Sequence, residues 1–488
     1  MSAPGDRLGR RRVAVIGGGL GGLSAAFFLH ERLGDAIEIE LFERSSRLGG
    51  IVQTDRRVPG WLLECGPDSF IRTKPAGVDL CERLGIADDL IAPLPNHQRA
   101  LIAAGDQLVP VPDDFHLLVP RRLTALLETP LLSTAAKLRL LREATLPPPA
   151  TTATDESLAD FTRRRWGPEV LSRLVQPLVA GIYSANPEEL SLAATMPQFL
   201  QFERTFGSLT AAGRAQRDQT RVSGARYALF ASFPDGMSRL TDALVDRLAD
   251  VATLDRETAV CSVSRTSEPY GRWTVAFEDE RSPSDFDAVV LAVPAAAAAQ
   301  MLGDAAVGRS LREIRAASSA IVVTGHRVAD VSHPLDAFGV VIPHAERQPA
   351  TAISIASRKF PNRCPEGHCL LRTFVGSPQF DVETKTDAEI AAAAAAVRAR
   401  YLGVCGQPVV ETLTRYHGGS PQYRLRHLAL VEQVEAAVKT SDGLGLVGAS
   451  YRGVGIPDTI ASAQATVDRL ASSLGEPCPM ASRAAAQP

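Results

Sequence analysis

Apolar and polar positions repeat with two different periods along this chain, and the changes of period outline its organisation. Val13 to Ile16 is a short β-branched run, which predicts a buried strand. Leu20 to Leu33 carries apolar residues at helical spacing, and Ile37 to Phe42 alternates like a second strand. A strand–helix–strand opening implies a parallel sheet covered on both faces. From Pro93 to about Ala225 the pattern turns helical, with segments at Leu123–Leu127, Ala135–Ala144 and Val170–Val179. Leu146 to Pro149 reads as a linker and the polar stretch Gly207 to Gly224 as a mobile loop. Phe233 to Leu248 reads as a turn and then a helix. Strand patterns follow at Thr258–Val263, Trp273–Phe277 and Ala288–Val293. They then dominate residues 305 to 420, at Ala320–Gly325, Gly339–Ile342, Thr351–Ile355, Cys369–Val375 and Val409–Arg415. One helix interrupts them, Asp387 to Tyr401, whose alanine run predicts close packing. Gly445 to Val447 predicts a last strand and Ile460 to Leu474 a closing helix.

Strand–loop–helix sequence therefore opens the chain and returns at its end, which fits an interrupted domain better than domains strung in series. The predicted fold class is α/β. Residues 1–93, 226–304 and 425–474 form a discontinuous Rossmann-like nucleotide-binding domain. Residues 94–225 form a helical insertion, 305–424 a mixed-sheet substrate-binding domain, and 475–488 a flexible tail.

Composition adds exclusions. With 488 residues, 45% hydrophobic and 22% charged, the chain can bury a large core without disulfides or structural metal. Lys plus Arg is 52 against Asp plus Glu 55, a net charge of −3, which argues against a nucleic-acid partner. The seven cysteines (65, 81, 261, 364, 369, 405 and 478) are scattered and form no C-x-x-C, so they read as thiols of a cytoplasmic protein. Arg10, Arg11 and Arg12 precede the uncharged stretch Val13–Leu29 and imitate an export signal. Five glycines between Gly17 and Gly22 spoil its helix, and no A-x-A-like cleavage site closes it. The other charge-free run, Ala288 to Gly303, contains Pro294 and is too short for a membrane span. The apolar Leu123–Leu127 leaves peripheral membrane contact open. No metal site is expected: Cys364, His368 and Cys369 lack zinc-site spacing.

The first chemistry-bearing motif is Gly17-Gly18-Gly19-Leu20-Gly21-Gly22, a G-x-G-x-x-G between strand and helix. Its glycines permit a tight turn, backbone approach to a pyrophosphate, and close helix–strand packing. The helix N-terminus presents unpaired N–H groups to the phosphates. Glu43, at the end of the second predicted strand, stands where an acid accepts from ribose hydroxyls. Gly443-x-Gly445-x-x-Gly448 also matches, but it follows a helix pattern and is separated from the next helix by a loop, so a second dinucleotide turn is not expected. A twin glycine, Gly49-Gly50, follows Glu43. Near the other end, Gly453-Val454-Gly455-Ile456-Pro457-Asp458 precedes a helix whose N-terminus can face the electron-rich edge of a flavin.

These segments resemble the flavoprotein family of amine oxidases, phytoene desaturases and protoporphyrinogen oxidases, with its glutathione-reductase and amine-oxidase type of FAD-binding domain. Gly66-Pro67-Asp68-Ser69-Phe70, Val179–Tyr183, Phe360–Arg363 and Tyr451–Asp458 are similar to its porphyrinogen-oxidising members over nearly the whole chain. The resemblance implies that FAD is contacted by Gly17, Gly18, Gly19, Leu20, Gly21, Gly22, Glu43, Arg44, Arg47, Gly50, Ile51, Gly66, Pro67, Asp68, Ser69, Val263, Gly448, Tyr451, Gly455, Ile456, Pro457 and Asp458. Ser450-Tyr451-Arg452 offers no cysteine for covalent attachment, so FAD is expected to be non-covalent. The G-P-D-S-F form is most similar to the Gram-positive type, which implies oxidation of coproporphyrinogen III to coproporphyrin III, with protoporphyrinogen IX as the alternative. The implied reaction takes six electrons in three turns, with O2 giving H2O2, in haem biosynthesis, and the implied partners include a ferrochelatase that takes over the product.

A propionate-bearing substrate calls for fixed cations. The resemblance points to Arg99, with Arg72 and Lys74 as further candidates that read equally well as surface charges. Gly181 is implied at the reacting centre, giving the macrocycle room, and Phe360 on the macrocycle's face. The plain alternatives are a helix-end glycine and a core phenylalanine. Arg163, Arg164 and Arg165 read as a solvated helix face. No general base is assigned. Two rivals remain: a flavin amine oxidase, for which the aromatic residues of a cage are scarce, and a non-catalytic binding protein, against which the intact glycine loops and Glu43 argue. The sequence leaves the oligomeric state open.

Overall fold

The computed structural model describes residues 10–113, 115–116, 118–147, 155–183, 185–219, 229–266 and 272–474. The expected tail lies outside these residues, as do parts of the expected linker and of the 207–224 loop. Twelve strands form the two large sheets. In chain order they are β1 (Arg11–Ile16), β2 (Ile37–Phe42), β3 (Ala100–Ala104), β4 (Gln107–Pro110), β5 (Ala252–Asp255) and β6 (Ala288–Leu291). They continue as β7 (Ala316–Arg327), β8 (Gly339–Val341), β9 (Ala350–Ile355), β10 (His368–Val375), β11 (Val410–Pro421) and β12 (Leu444–Leu446). Three helices bear on the argument: α1 (Leu20–Leu33), α2 (Asp387–Leu402) and α3 (Ile456–Leu474).

The first sheet is wholly parallel, in the order β5-β2-β1-β6-β12, and so draws its strands from the beginning, middle and end of the chain. Side chains alternate across it. Val13 and Val15 join α1 and α3 in one apolar core, while Ala14 and Ile16 face a second core beneath a three-stranded antiparallel sheet that contains Val263. The second sheet is mixed, in the order β11-β7-β10-β9-β8-β3-β4. Its hairpin β3–β4 is a correction: residues 100–110 were expected inside the helical insertion, but β3 pairs in parallel with β8 and extends this sheet.

The insertion has its own apolar core around Trp166, Phe161 and Leu174. Residues 209–219, expected within a mobile loop, form a helix capped by its own chain: Glu143, fully buried, accepts from the Leu209 and Thr210 N–H groups at 2.9 and 3.0 Å. Arg165 is likewise buried rather than solvated, paired with Glu143 at 2.6 Å, while Arg164 bridges Glu156 and Glu203. A polar run can be helical and internal when its charges find partners from distant segments, which local periodicity does not report. Among the described residues no helix is long and apolar enough to cross a membrane.

Candidate functional site

The site begins where β1 hands over to α1. Gly17 has φ of +103°, and a Cβ there would stand 2.6 Å from the Ala292 carbonyl oxygen. A Cβ on Gly22 would meet the Gly17 carbonyl oxygen at 1.9 Å. These two glycines are required by packing alone. Gly19 has nothing nearer than 3.7 Å, so its side is open. The first helical turn contains no acid and no side-chain cap, and its hydrogen-bond ladder starts with Leu23 on Gly19. The N–H groups of Leu20, Gly21 and Gly22 therefore lie ahead of the ladder, as an anion-binding helix end requires.

Glu43 is held by the glycine loop and by its own turn. One carboxylate oxygen accepts from the Gly18 N–H at 2.8 Å and the other from the Ser45 N–H and hydroxyl at 2.9 and 2.7 Å, leaving lone pairs on a half-buried carboxylate. The twin glycine lies on the first loop: the Gly49 N–H donates to the Gly18 carbonyl at 2.8 Å, and a Cβ on Gly50 would come within 2.9 Å of the Gly19 Cα. Arg47 donates to the carbonyls of Leu48, Gly50 and Val52, so its guanidinium clamps this loop. Arg44 is exposed beside it. The track continues to Ile51, half-exposed, whose carbonyl oxygen is 1.7 Å from where Gly66 would carry a Cβ. Gly19, Gly50 and Gly66 thus mark one track along which loop backbone packs directly on loop backbone.

Gly66 is held from the mixed sheet. Buried Arg372 on β10 donates Nε to the Glu64 carbonyl at 3.0 Å and Nη2 to the Gly66 carbonyl, and pairs with Asp68 at 2.9 Å. Lys359 reaches the other Asp68 oxygen at 2.7 Å and the Ser69 hydroxyl, and Tyr416 donates to the Cys65 carbonyl at 2.6 Å. Burial opposes ionisation of Asp68, but the charges of Lys359 and Arg372 outweigh it and hold the carboxyl well below the usual range. Glu64 behaves oppositely: burial pushes it up to about 7 against donors from Met237 and Thr54. Arg372 and Tyr416 come from remote strands and Lys359 from the short helix Ala356–Lys359, and the sequence reading singled out none of the three.

The far end is built by the loop before α3. Asp458 caps its own helix by accepting from the Gly455 N–H at 3.2 Å. A Cβ on Gly21 would stand 3.0 Å from Val447 and 3.3 Å from Thr459, so the N-termini of α1 and α3 converge. Buried Tyr423 bridges the loop, accepting from the Gly453 N–H and donating to the Ala449 carbonyl, both at 2.7 Å. It stacks on His427, ring centroids 4.0 Å apart, and His427 in turn contacts the Tyr451 carbonyl at 2.8 Å. Tyr423 and His427 escaped the sequence reading. Gly448 has φ of +134° with open space beside it, and Pro457 lies behind the loop against Gly77.

Several expected roles change. The Tyr451 ring, 6% exposed, is packed in the core behind the parallel sheet, with no hydrogen-bond partner for its hydroxyl among the described residues; it is a core residue. Phe360 is 1% exposed, packed between Lys359 and Arg363, and has no face for a ligand. Lys74 pairs with Asp458 at 2.6 Å, so it steadies the α3 loop. Arg99 is half-exposed and paired with Asp336 through both its backbone carbonyl and carboxylate. Ala100, Gly339, Ser354 and Arg372 align across the sheet, which puts Arg99 at the level of Arg372 but three strands away, about 14 Å. Arg72 is exposed just beyond the short strand Phe70–Ile71. Gly181 is exposed near the end of helix 176–183, with open space where a Cβ would go. On the same helix, burial and the nearby Asp458 carboxylate push Tyr183 up to about 12, which places this helix beside the α3 loop.

The arrangement fits FAD. Two helix N-termini face one region, a fixed acid stands at the strand end, and a glycine track joins them, as a long anionic cofactor with a flat ring demands. Comparison with known proteins agrees. The sequence profile of the flavin containing amine oxidoreductases matches residues 20–471. The coproporphyrinogen III oxidase of Bacillus subtilis is 30% identical over 94% of this chain and 97% of its own. That of Propionibacterium freudenreichii is 31% identical over 96% of this chain and 92% of its own. A solved structure of a candidate protoporphyrinogen oxidase from Exiguobacterium sp. 255-15 superposes with a TM-score of 0.84 at 28% identity, covering 95% of this chain and 99% of that one.

Proposed function

Since the chain belongs to the flavin containing amine oxidoreductase family, we propose that it is an FAD-dependent porphyrinogen oxidase acting on coproporphyrinogen III. The observation that carries the reading is the glycine track between two converging helix N-termini, within a chain aligned almost end to end with coproporphyrinogen III oxidases. Bound non-covalently there, FAD supplies a two-electron acceptor, so the six-electron conversion to the porphyrin takes three turns, each returned by O2 with formation of H2O2.

The chain's own residues bind and orient. The N–H groups of Leu20, Gly21 and Gly22 hold the pyrophosphate, and Glu43 accepts from ribose hydroxyls. The N-terminus of α3, with Gly455, Ile456 and Pro457 at its entrance, favours negative charge on the adjoining ring edge. Gly66 to Ser69, fixed by Arg372 and Lys359, would hold the cofactor from the mixed-sheet side. Gly181 leaves space for a macrocycle, and Arg72 and Arg99 are the cations available to propionates, Arg99 by exchanging Asp336 for substrate. No side chain is assigned as general base; the substrate's pyrrole nitrogens lose their own protons, and the protein's part is positioning.

Anaerobic mixing of the yellow holoenzyme with coproporphyrinogen III and, separately, protoporphyrinogen IX tests this. Flavin bleaching that is faster with the coproporphyrinogen is expected. Faster bleaching with protoporphyrinogen would transfer the assignment to the alternative substrate, and bleaching by neither would overturn it.

A further inference from the structure

The loop that enters α3 is gripped by two side chains. Residues 453–455 wrap the Asp458 side chain so closely that a Cβ on Gly453 would stand 2.4 Å from its carboxyl carbon, and one on Gly455 2.9 Å from Oδ2. The second grip is Tyr423, 1% exposed, whose hydroxyl accepts from the Gly453 N–H and donates to the Ala449 carbonyl. One hydroxyl therefore ties both ends of the 449–453 turn. Burial keeps that hydroxyl protonated and the His427 ring neutral, so Tyr423 can accept and donate at once. The tyrosine is itself anchored. Its carbonyl accepts from the Ser191 N–H at 2.8 Å, and the neighbouring Gln422 side chain donates to the Tyr183 carbonyl at 3.3 Å. Its ring lies within 14° of parallel to His427, the first residue of the helix His427–Lys439, which holds the Tyr451 carbonyl in the middle of the same turn.

The two grips leave a pattern in the backbone. Along Gly453-Val454-Gly455-Ile456 the Gly453 N–H is taken by Tyr423 and the Gly455 N–H by Asp458, whereas those of Val454 and Ile456 have no partner among the described residues. Pro457 has no N–H to offer. The two unpaired donors are fixed through their side chains as well, Val454 against the insertion core and Ile456 in the core between α1 and α3. Donors already in place are worth most where negative charge develops, because nothing has to reorganise when it appears. Reduction by two electrons and one proton leaves one negative charge on a flavin ring, so donors held at the entrance of α3 favour the reduced form. We propose that Tyr423, braced by His427, is a positioning residue that raises the reduction potential of the bound flavin by holding the Val454 and Ile456 N–H groups in place. The inference rests on the flavin site proposed above, but not on the identity of the substrate.

Reductive titration of the flavin-loaded protein against reference dyes tests this, with dithionite as the electron donor and no porphyrinogen present. Tyr423→Phe keeps the ring and its stack and removes only the hydroxyl. It should retain one flavin per chain while its two-electron midpoint falls by about 30 mV or more, a tenfold loss in the relative stability of the reduced form. Tyr401→Phe is the control, since it removes a buried tyrosine hydroxyl from the core beneath α2, and its midpoint should equal that of the wild type. If Tyr423→Phe does not fold, His427→Phe carries the test: it preserves an aromatic stack and deletes the contact with the Tyr451 carbonyl. A fall of roughly threefold, about 14 mV, is expected there. An unchanged or raised midpoint in the folded variants, or an equal fall in Tyr401→Phe, would overturn the proposal. So would a folded Tyr423→Phe without flavin, because the residue would then retain the cofactor rather than tune it. Wild-type flavin that no porphyrinogen bleaches would defeat the proposed activity and leave this measurement standing, whereas a wild type unable to hold flavin would overturn both.

Discussion

The parallel and mixed sheets both hold a loop against the candidate flavin site, with opposite materials. On the parallel side the work is done by missing side chains: Gly17, Gly22 and Gly50 let backbone approach backbone at distances no Cβ permits. On the mixed side it is done by long, buried, charged side chains, with Arg372, Lys359 and Asp68 gripping residues 64–69. The first arrangement tolerates no added atom, whereas the second tolerates no lost charge. Each therefore fails in its own way, and substitutions can tell the two apart.

The largest effect is expected at Gly22. Gly22→Ala sets a methyl 1.9 Å from the Gly17 oxygen, so the turn must open, at about 3 kcal/mol or more, and the purified protein should be colourless at 450 nm. Retention of full flavin would show that the loop can yield and would erase the contrast. Arg372→Met on the other side removes the donors to two carbonyls and half of the Asp68 pairing. Leaving a buried carboxylate under-compensated costs about 3–5 kcal/mol, read as a lower denaturant midpoint with flavin still bound.

A pH series sharpens the comparison further. The folded-state value of Glu64 is raised from 4.5 to about 7, so its contribution to stability is fully present below about pH 4.5 and is lost as pH rises through 7. Wild type should lose about 3 kcal/mol relative to Glu64→Gln across that window, and parallel stability curves would exclude a buried, readily protonated Glu64. Asp68 has the opposite sign: its contribution is present above the ordinary carboxylate range and disappears only in stronger acid. The smallest effect on stability is expected at Arg99, whose ion pair with Asp336 is about half-exposed. Arg99→Ala should change stability by no more than about 1 kcal/mol, yet raise KM for a porphyrinogen roughly tenfold, as for loss of one charge-assisted contact. Unchanged KM would remove Arg99 from substrate binding.

The same contrast explains what could be read from the sequence. The bounds of α1, Leu20–Leu33, and of β2, Ile37–Phe42, follow from local pattern because a buried parallel strand and a helix buried over Leu20–Leu29 each encode their surroundings in one short window. Glu43 and the glycine loop were legible for the same reason. Tyr423, His427 and Arg372 were not, because each acts across the tertiary fold on a segment far away in the chain, with no spacing rule to announce it. Residues 100–110 were misplaced because two short strands within a helical stretch carry little periodicity until β8 supplies their partner. The alanines of α2 misled differently: small residues predict close packing, but on an outward face they open a cavity. Tyr451 and Phe360 show a further limit, since an aromatic ring beside a functional loop looks the same in sequence whether it faces a ligand or the core.

The meeting of α1 and α3 also sets an order of events during synthesis. Gly21 leaves the ribosome early and Thr459 late, yet the two come to lie almost in contact. The early nucleotide-binding turn must therefore wait, with strand β1 lacking its neighbour β6 and the sheet lacking its edge β12, until nearly all of the matched region has been translated. Ribosome-bound chains that end before residue 455 should capture no flavin, so that cofactor loading marks the completion of the fold.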